Sequence, residues 1–177
     1  MSTNDAVGEL FYTSDDFLRM VRMGANFQVI RLELGRLSSF PGGKLSPEYL
    51  LKLDSLVDLG QVHGIKTVFK MTVYGVKGFN WEKFYRNENG EQETYIAAWK
   101  NIWKRYKSND VVIGYDLVNE PRKHDMDISY ADLTNNFLVP IYQKIIDAYT
   151  EIDQGKVMYC QAIFMNKGDA INHNQYA

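Results

Sequence analysis

Apolar residues recur along this chain with two spacings, and the spacings take turns. The first helical stretch is predicted to start at Ser14 as N-cap, with Asp15 and Asp16 at the positive end of the helix. Phe17, Leu18 and Val21 supply its apolar face and Gly24 closes it. Residues 27–34 are then β-rich and compact, a predicted strand. Past the turn-forming Pro41-Gly42-Gly43 comes the clearest helix, with Ser46 as N-cap, Pro47 at N1 and Glu48 in the first turn. Its stripe is Leu50, Leu53, Leu56, Val57 and Leu59, and Gly64 stops it. A strand over 65–73, a helix over 91–107 and a strand over 111–118 follow. The last helix is predicted over 138–150, starting near Pro140 because a proline inside a helix costs about 3 kcal/mol. A strand over 157–165 completes the series.

Helix and strand thus alternate four times with no run of hairpins, which calls for a parallel sheet with helices packed on it, an α/β fold in one domain over 1–177. A doubly wound sheet and a (β/α)-barrel both satisfy the alternation. No Gly-x-Gly-x-x-Gly or Gly-x-x-x-x-Gly-Lys loop follows the early strands, which argues against a nucleotide site. Polar and chemically capable residues instead gather at the C-terminal ends of the strands: Arg31 and Glu33, Thr72 and Tyr74, Asn119 and Glu120, Met165 and Asn166. In a (β/α)-barrel those ends form one mouth.

Composition narrows the function classes. With 45% hydrophobic and 24% charged residues, the 177-residue chain can bury a core. A net charge of −2 with scattered Lys and Arg makes nucleic acid a poor partner. No apolar run is long enough to span a bilayer, and Met1 to Asp5 lacks the basic-then-apolar pattern of a secretion signal, although localisation stays open. Cys160 lies in an apolar run and is expected to be a buried, inert thiol. His63, His124 and His173 form no ligand cluster, so neither a metal nor a cofactor is expected. His63 suits a helix C-terminus, and His124 in the charged loop 122–127 is expected in solvent. Phe40, Tyr74, Phe79, Trp81, Phe84 and Tyr85 fall in apparent loops. There they either stack flat ligands such as sugar rings or cover the rim and interleave between helices. Trp81, after the third strand of the expected barrel, is the preferred sugar platform.

The strongest chemical signal is Gly114-Tyr115-Asp116-Leu117-Val118-Asn119-Glu120-Pro121-Arg122, a hydrophobic strand ending in an amide, a carboxylate and a proline. It resembles the fourth-strand signature of glycoside hydrolase family 5, a family of retaining β-glycosidases. Gly24 to Arg31 resembles that family's second strand, and Trp103-Lys104-Arg105-Tyr106-Lys107 its helix before the fourth. The resemblance implies Glu120 as general acid/base, Asn119 as hydrogen-bond partner of the sugar 2-hydroxyl and Arg31 beneath the nucleophile. The substrates it implies are β-linked glycans, cleaved by double displacement.

The chain departs from the family in three places. The nucleophile comes from a seventh strand in the family, and no strand after the fifth has room here; Glu33 and Asp116 are poor substitutes. The family's first strand is also missing, so the expectation is a partial barrel of about four βα units, roughly strands two to five, where a full barrel takes about 250 residues. A substrate-binding histidine common on the third strand is replaced by Lys70-Met71-Thr72-Val73-Tyr74, leaving Tyr74 or Thr72 to serve. Four strands leave two edges and an inner face uncovered, so the expected partner besides carbohydrate is a second copy or the missing half. The alternative function is an inactive half-barrel that dimerises or binds carbohydrate. Sugar, linkage and endo or exo action are not legible.

Overall fold

The computed structural model describes residues 12–38, 44–73, 76–124 and 126–164. Helix α1 (Ser14–Arg22) leads into strand β1 (Phe27–Glu33), followed by the short α2 (Leu34–Leu37), α3 (Pro47–His63) and β2 (Lys66–Thr72). Then come α4 (Trp81–Tyr85), α5 (Glu91–Tyr106), β3 (Val112–Asp116), α6 (Tyr130–Leu133), α7 (Val139–Thr150) and β4 (Val157–Tyr159).

The four strands form one parallel sheet in the order β1-β2-β3-β4. This order decides between the two architectures that alternation left open. A doubly wound sheet reverses its strand order at a switch point and so carries helices on both faces. Here each strand lies beside its predecessor, and right-handed crossovers then put the helices on one face. The sheet is an arc of a (β/α)-barrel.

On the helix-covered face, Ile30 and Leu32 of β1, Phe69 and Met71 of β2 and Tyr115 of β3 are buried in the core. Helix α5 supplies the largest share of that core, with Trp99 and Trp103 stacked at 5.7 Å and 8° and Tyr115 edge-on to both. The opposite face, which a closed barrel would turn inward, carries Phe27, Val29, Val157 and Tyr159, all exposed. Arg31, Lys70 and Asp116 form a polar row across it, paired residue to residue in the register.

Local signals placed α3 accurately: Ser46 Oγ accepts from Tyr49 N at 3.2 Å, Pro47 opens the helix, and Gly64 ends it at a left-handed φ of 70°. Two expectations need correction, both in α1. Helix α1 is capped by Thr13, not Ser14: the Asp16 carboxylate accepts from both the Thr13 amide and hydroxyl, each at 2.9 Å. Of its expected apolar face only Phe17 is buried, while Leu18 and Val21 are exposed. Helix α7 begins at Val139 with Pro140 in its first turn, as expected, and what the sequence did not predict is the helical turn ahead of it, α6, where Ser129 Oγ accepts from Asp132 N at 3.0 Å. A π-helical turn over Thr134–Leu138 joins α6 to α7, with Val139 N bonded to Thr134 O. Its wider coil lets the helix run through a residue that lacks an N–H and crowds the preceding turn.

The fourth strand is short, Val157–Tyr159, with one further bridge between Arg122 and Phe164. Because β4 is the edge of the described sheet, its apolar run is not enclosed. Cys160 is exposed, contrary to the buried thiol expected, although partial burial and the Asp116 carboxylate still push its thiol pKa up.

Candidate active site

Beyond β3 the backbone is held residue by residue. Tyr95 and Trp99, one turn apart on α5, both donate to the Leu117 carbonyl, at 2.7 and 3.0 Å. Leu117 N donates to Tyr159 O and Asn119 N to Met71 O, each at 3.0 Å, so both neighbouring strands grip this segment. Glu120 N donates to the side-chain oxygen of Gln161 at 3.0 Å, and Phe164 N to Pro121 O at 2.6 Å. Glu120 itself has a φ of 49°, a left-handed conformation uncommon for a residue with a Cβ.

This turn opens on a cavity of about 310 Å³ at the C-terminal end of the strands. Asn119, Glu120, Arg122 and His124 line one side of it; Val73, Val76, Phe79, Asn80 and Trp81, which follow β2, line the other. Polar hydrogen-bonding groups thus face an apolar and aromatic wall, the mix that suits a ligand with both hydroxyls and C–H faces. Asn119 is buried, whereas the Glu120 side chain is partly exposed and pairs with Arg122 Nη2 at 3.2 Å. The Arg122 guanidinium also lies 4.7 Å over the ring of Phe164.

The cavity brings together only part of the expected set. Asn119, Glu120 and Trp81 share it. Trp81 is not in a loop: it opens α4, which Asn80 caps by accepting from Lys83 N at 3.0 Å. Only 7% of it is exposed, since its ring stacks on Tyr85 at 5.6 Å and meets Phe79 edge-on at 4.9 Å. Trp81 is therefore a largely buried ring instead of an open platform, and Phe84 and Tyr85 are core residues. Arg31 lies outside the cavity lining and donates to Thr72 Oγ1 at 3.4 Å. Glu33 pairs with Arg36 at 2.8 Å. Tyr74, Phe40, Met165 and Asn166 lie outside the described residues. His124 is exposed, as expected, yet also lines the cavity. His63 ends α3, 2.7 Å from Ser14 Oγ.

Asp116 sits deeper on the inner face. Its Oδ2 is 3.3 Å from Lys70 Nζ and accepts from Gln161 Nε2 at 2.6 Å, while its buried Oδ1 has no partner among the described residues. Burial raises its pKa, and the Gln161 hydrogen bond and Lys70 only partly offset this. Sequence reasoning missed Gln161 altogether, along with the cavity-lining parts of Val76 and Asn80. The Asn80 cap was legible as an Asn just before the Trp81-Glu82-Lys83 turn. Among the described residues no three His, Cys, Asp or Glu side chains cluster to hold a metal ion, and no helix is long and apolar enough to cross a membrane.

A parallel barrel arc with a carboxylate and an amide at the mouth defines the class of (β/α)-barrel proteins whose strand ends carry the chemistry. The family model described as cellulase (glycosyl hydrolase family 5) matches residues 1–173, and the chain belongs to that family. Among solved structures it is similar to the endoglucanase Cel5A of the hyperthermophilic Thermotoga maritima, with a TM-score of 0.64 and 17% identity over 84% of this chain and 44% of that one. It is also similar to endo-glycoceramidase II from Rhodococcus sp., with a TM-score of 0.72 and 21% identity over 89% of this chain and 45% of that one. A β-xylosidase of Phanerodontia chrysosporium is 30% identical over 86 residues, 44% of this chain and 18% of that protein. The chain therefore spans less than half the length of these relatives.

Proposed function

We propose that residues 1–177 form the acid/base half of a retaining β-glycosidase catalytic domain acting on β-linked glycans. The observation that carries this reading is the single cavity shared by Asn119 and Glu120 with the aromatic wall of Phe79 and Trp81, at the end of the sheet where barrel enzymes do their chemistry. Glu120 donates a proton to the glycosidic oxygen as the bond to the leaving group breaks, then accepts one from the water that releases the sugar. Asn119, with a donor and an acceptor on one carboxamide, holds the 2-hydroxyl. Phe79 and the exposed part of Trp81 pack against sugar C–H groups, and Arg31 orients groups deeper in the barrel.

Double displacement also needs a carboxylate roughly 5 to 5.5 Å from Glu120. Neither acid of the inner face suits the task, because neither Glu33 nor Asp116 lines the cavity that holds Glu120. On this reading the nucleophile is carried by a part of the barrel other than the four described strands. Turnover of an aryl β-cellobioside by the chain, with whatever completes its barrel, is expected to fall on the order of 100-fold or more in Glu120→Gln. Turnover indifferent to that change removes Glu120 from the mechanism.

A second reading has its own observation in the exposed Phe27, Val29, Val157 and Tyr159 on the inner face. On this reading the chain is an inactive half-barrel that covers that face with a second copy and binds carbohydrate without cleaving it. Sedimentation velocity distinguishes the two: a dimer at micromolar concentration favours the second reading, and a well-folded monomer rejects it.

A further inference from the structure

We propose that Gln161 is a positioning residue that clamps Glu120 in the left-handed turn aiming its carboxyl into the cavity. The inference rests on the reading of Glu120 as the acid/base. Gln161 touches both ends of the segment that matters: its Oε1 accepts from the Glu120 amide at 3.0 Å, and its Nε2 donates to Asp116 Oδ2 at 2.6 Å. The two contacts fix the orientation of the carboxamide, since an amide N–H only donates and a carboxylate only accepts. Asp116 is in turn held by Lys70, 3.3 Å away.

The Gln161 backbone is anchored as well. Tyr142 OH donates to Gln161 O at 2.8 Å and accepts from Gln161 N at 2.9 Å, tying the residue to helix α7. Lys70, Asp116, Gln161 and Glu120 thus form one chain of contacts from the polar row of the inner face to the mouth of the cavity. Glu120 needs such a hold, because its φ of 49° is disfavoured for a side chain with a Cβ and persists only where the surroundings enforce it. The flanking amides are served by backbone carbonyls, Asn119 N by Met71 O and Leu117 N by Tyr159 O. The Glu120 amide depends on a side chain.

That difference supplies a test on the full chain by residue-resolved amide hydrogen exchange and amide proton shifts. In Gln161→Leu the Glu120 amide is expected to lose protection fivefold or more and its proton resonance to move upfield. The Asn119 and Leu117 amides should stay within about twofold of the unmodified chain. Gln161→Glu alone would set a second carboxylate against Asp116 Oδ2, so it is made together with Asp116→Asn: the pair keeps an acceptor oxygen for the Glu120 amide and a donor–acceptor contact with residue 116, now donated by the Asn, and should restore most of the Glu120 protection. A purely structural role moves all three amides together in Gln161→Leu, and that result overturns the proposal. So does a Glu120 amide indifferent to Gln161→Leu. If Gln161→Leu fails to fold, the Gln161→Glu, Asp116→Asn pair decides alone: protection at Glu120 retained upholds the clamp, and protection lost there with Asn119 and Leu117 unchanged overturns it. Cleavage of the aryl glycoside tests the acid/base role separately, so either can fail while the other stands.

Discussion

Gly114 of β3 is packed tightly against β4, and Gly114→Ala sets two small effects of opposite sign against each other. A Cβ built on Gly114 lies 2.8 Å from Val157 O and 2.8 Å from Tyr159 Cε2, whereas ordinary contact begins near 3.4 Å. Strand β4 must therefore retreat by about 0.6 Å or twist away. Overpacking of this kind costs about 1–3 kcal/mol, while replacing a glycine of ordinary φ by alanine returns roughly 0.4–1 kcal/mol through the unfolded chain. The space term wins, since the obstacle includes a backbone carbonyl that cannot rotate aside. The β3–β4 seam has only the register pairs Gly114–Val157, Tyr115–Met158 and Asp116–Tyr159, so it yields partway, and the net loss is expected near 1–2 kcal/mol. For a domain of this size that lowers Tm by roughly 2–8 °C. Thermal and urea unfolding of Gly114→Ala, alone and with Tyr159→Ala, provides the measurement. The second change removes the ring but leaves the Val157 carbonyl, so less than half the loss should return. A Tm at or above that of the unmodified chain, or full recovery in the double variant, refutes the reasoning.

The elements that could be read from sequence are those whose determinants lie within a few residues of one another. Ser46, Pro47 and Gly64 bracket α3 because capping is local chemistry. Asn119 and Glu120 stood out because a hydrophobic strand ended abruptly in polar groups, and both line the cavity. Pro140 marked the first turn of α7, but the π turn that carries the chain into it from α6 has no local signal. Trp81 was assigned to a loop because α4 has only five residues, too few to show a period. Cys160 and the exposed Val157 depend on which strand lies at the sheet edge, a fact of topology that no local pattern carries. Gln161 was invisible for the same reason: its partners are 45 and 41 residues away in sequence, and nothing near Gln161 marks it.

Two titrating carboxylates give pH-dependent stability of opposite sign. Asp54 on α3 accepts from Arg105 and from Tyr106 OH on α5, and the Arg105 hydrogen bond holds its pKa below the usual carboxylate range. A depressed folded pKa contributes stability above the unfolded value of about 3.9 and loses it as pH falls through the folded value. Urea midpoints of Asp54→Asn and the unmodified chain should therefore differ at pH 6 and converge below about pH 4; a constant difference rejects the assignment. Asp116 behaves the other way, because burial raises its pKa. Its folded form binds a proton more readily than the unfolded chain, so stability falls as pH rises from about 3.9 through the folded value. Asn is the neutral shape-mimic of the protonated acid and still accepts from Gln161 Nε2. Lys70, left without its carboxylate, is partly exposed and keeps access to water. Asp116→Asn should therefore be more stable than the unmodified chain at pH 7, with the gain shrinking as pH drops toward 4. If it is less stable at pH 7, the Lys70 pair outweighs the desolvation of a buried charge, and the inner polar row is held by charge pairing instead of tolerated at a cost.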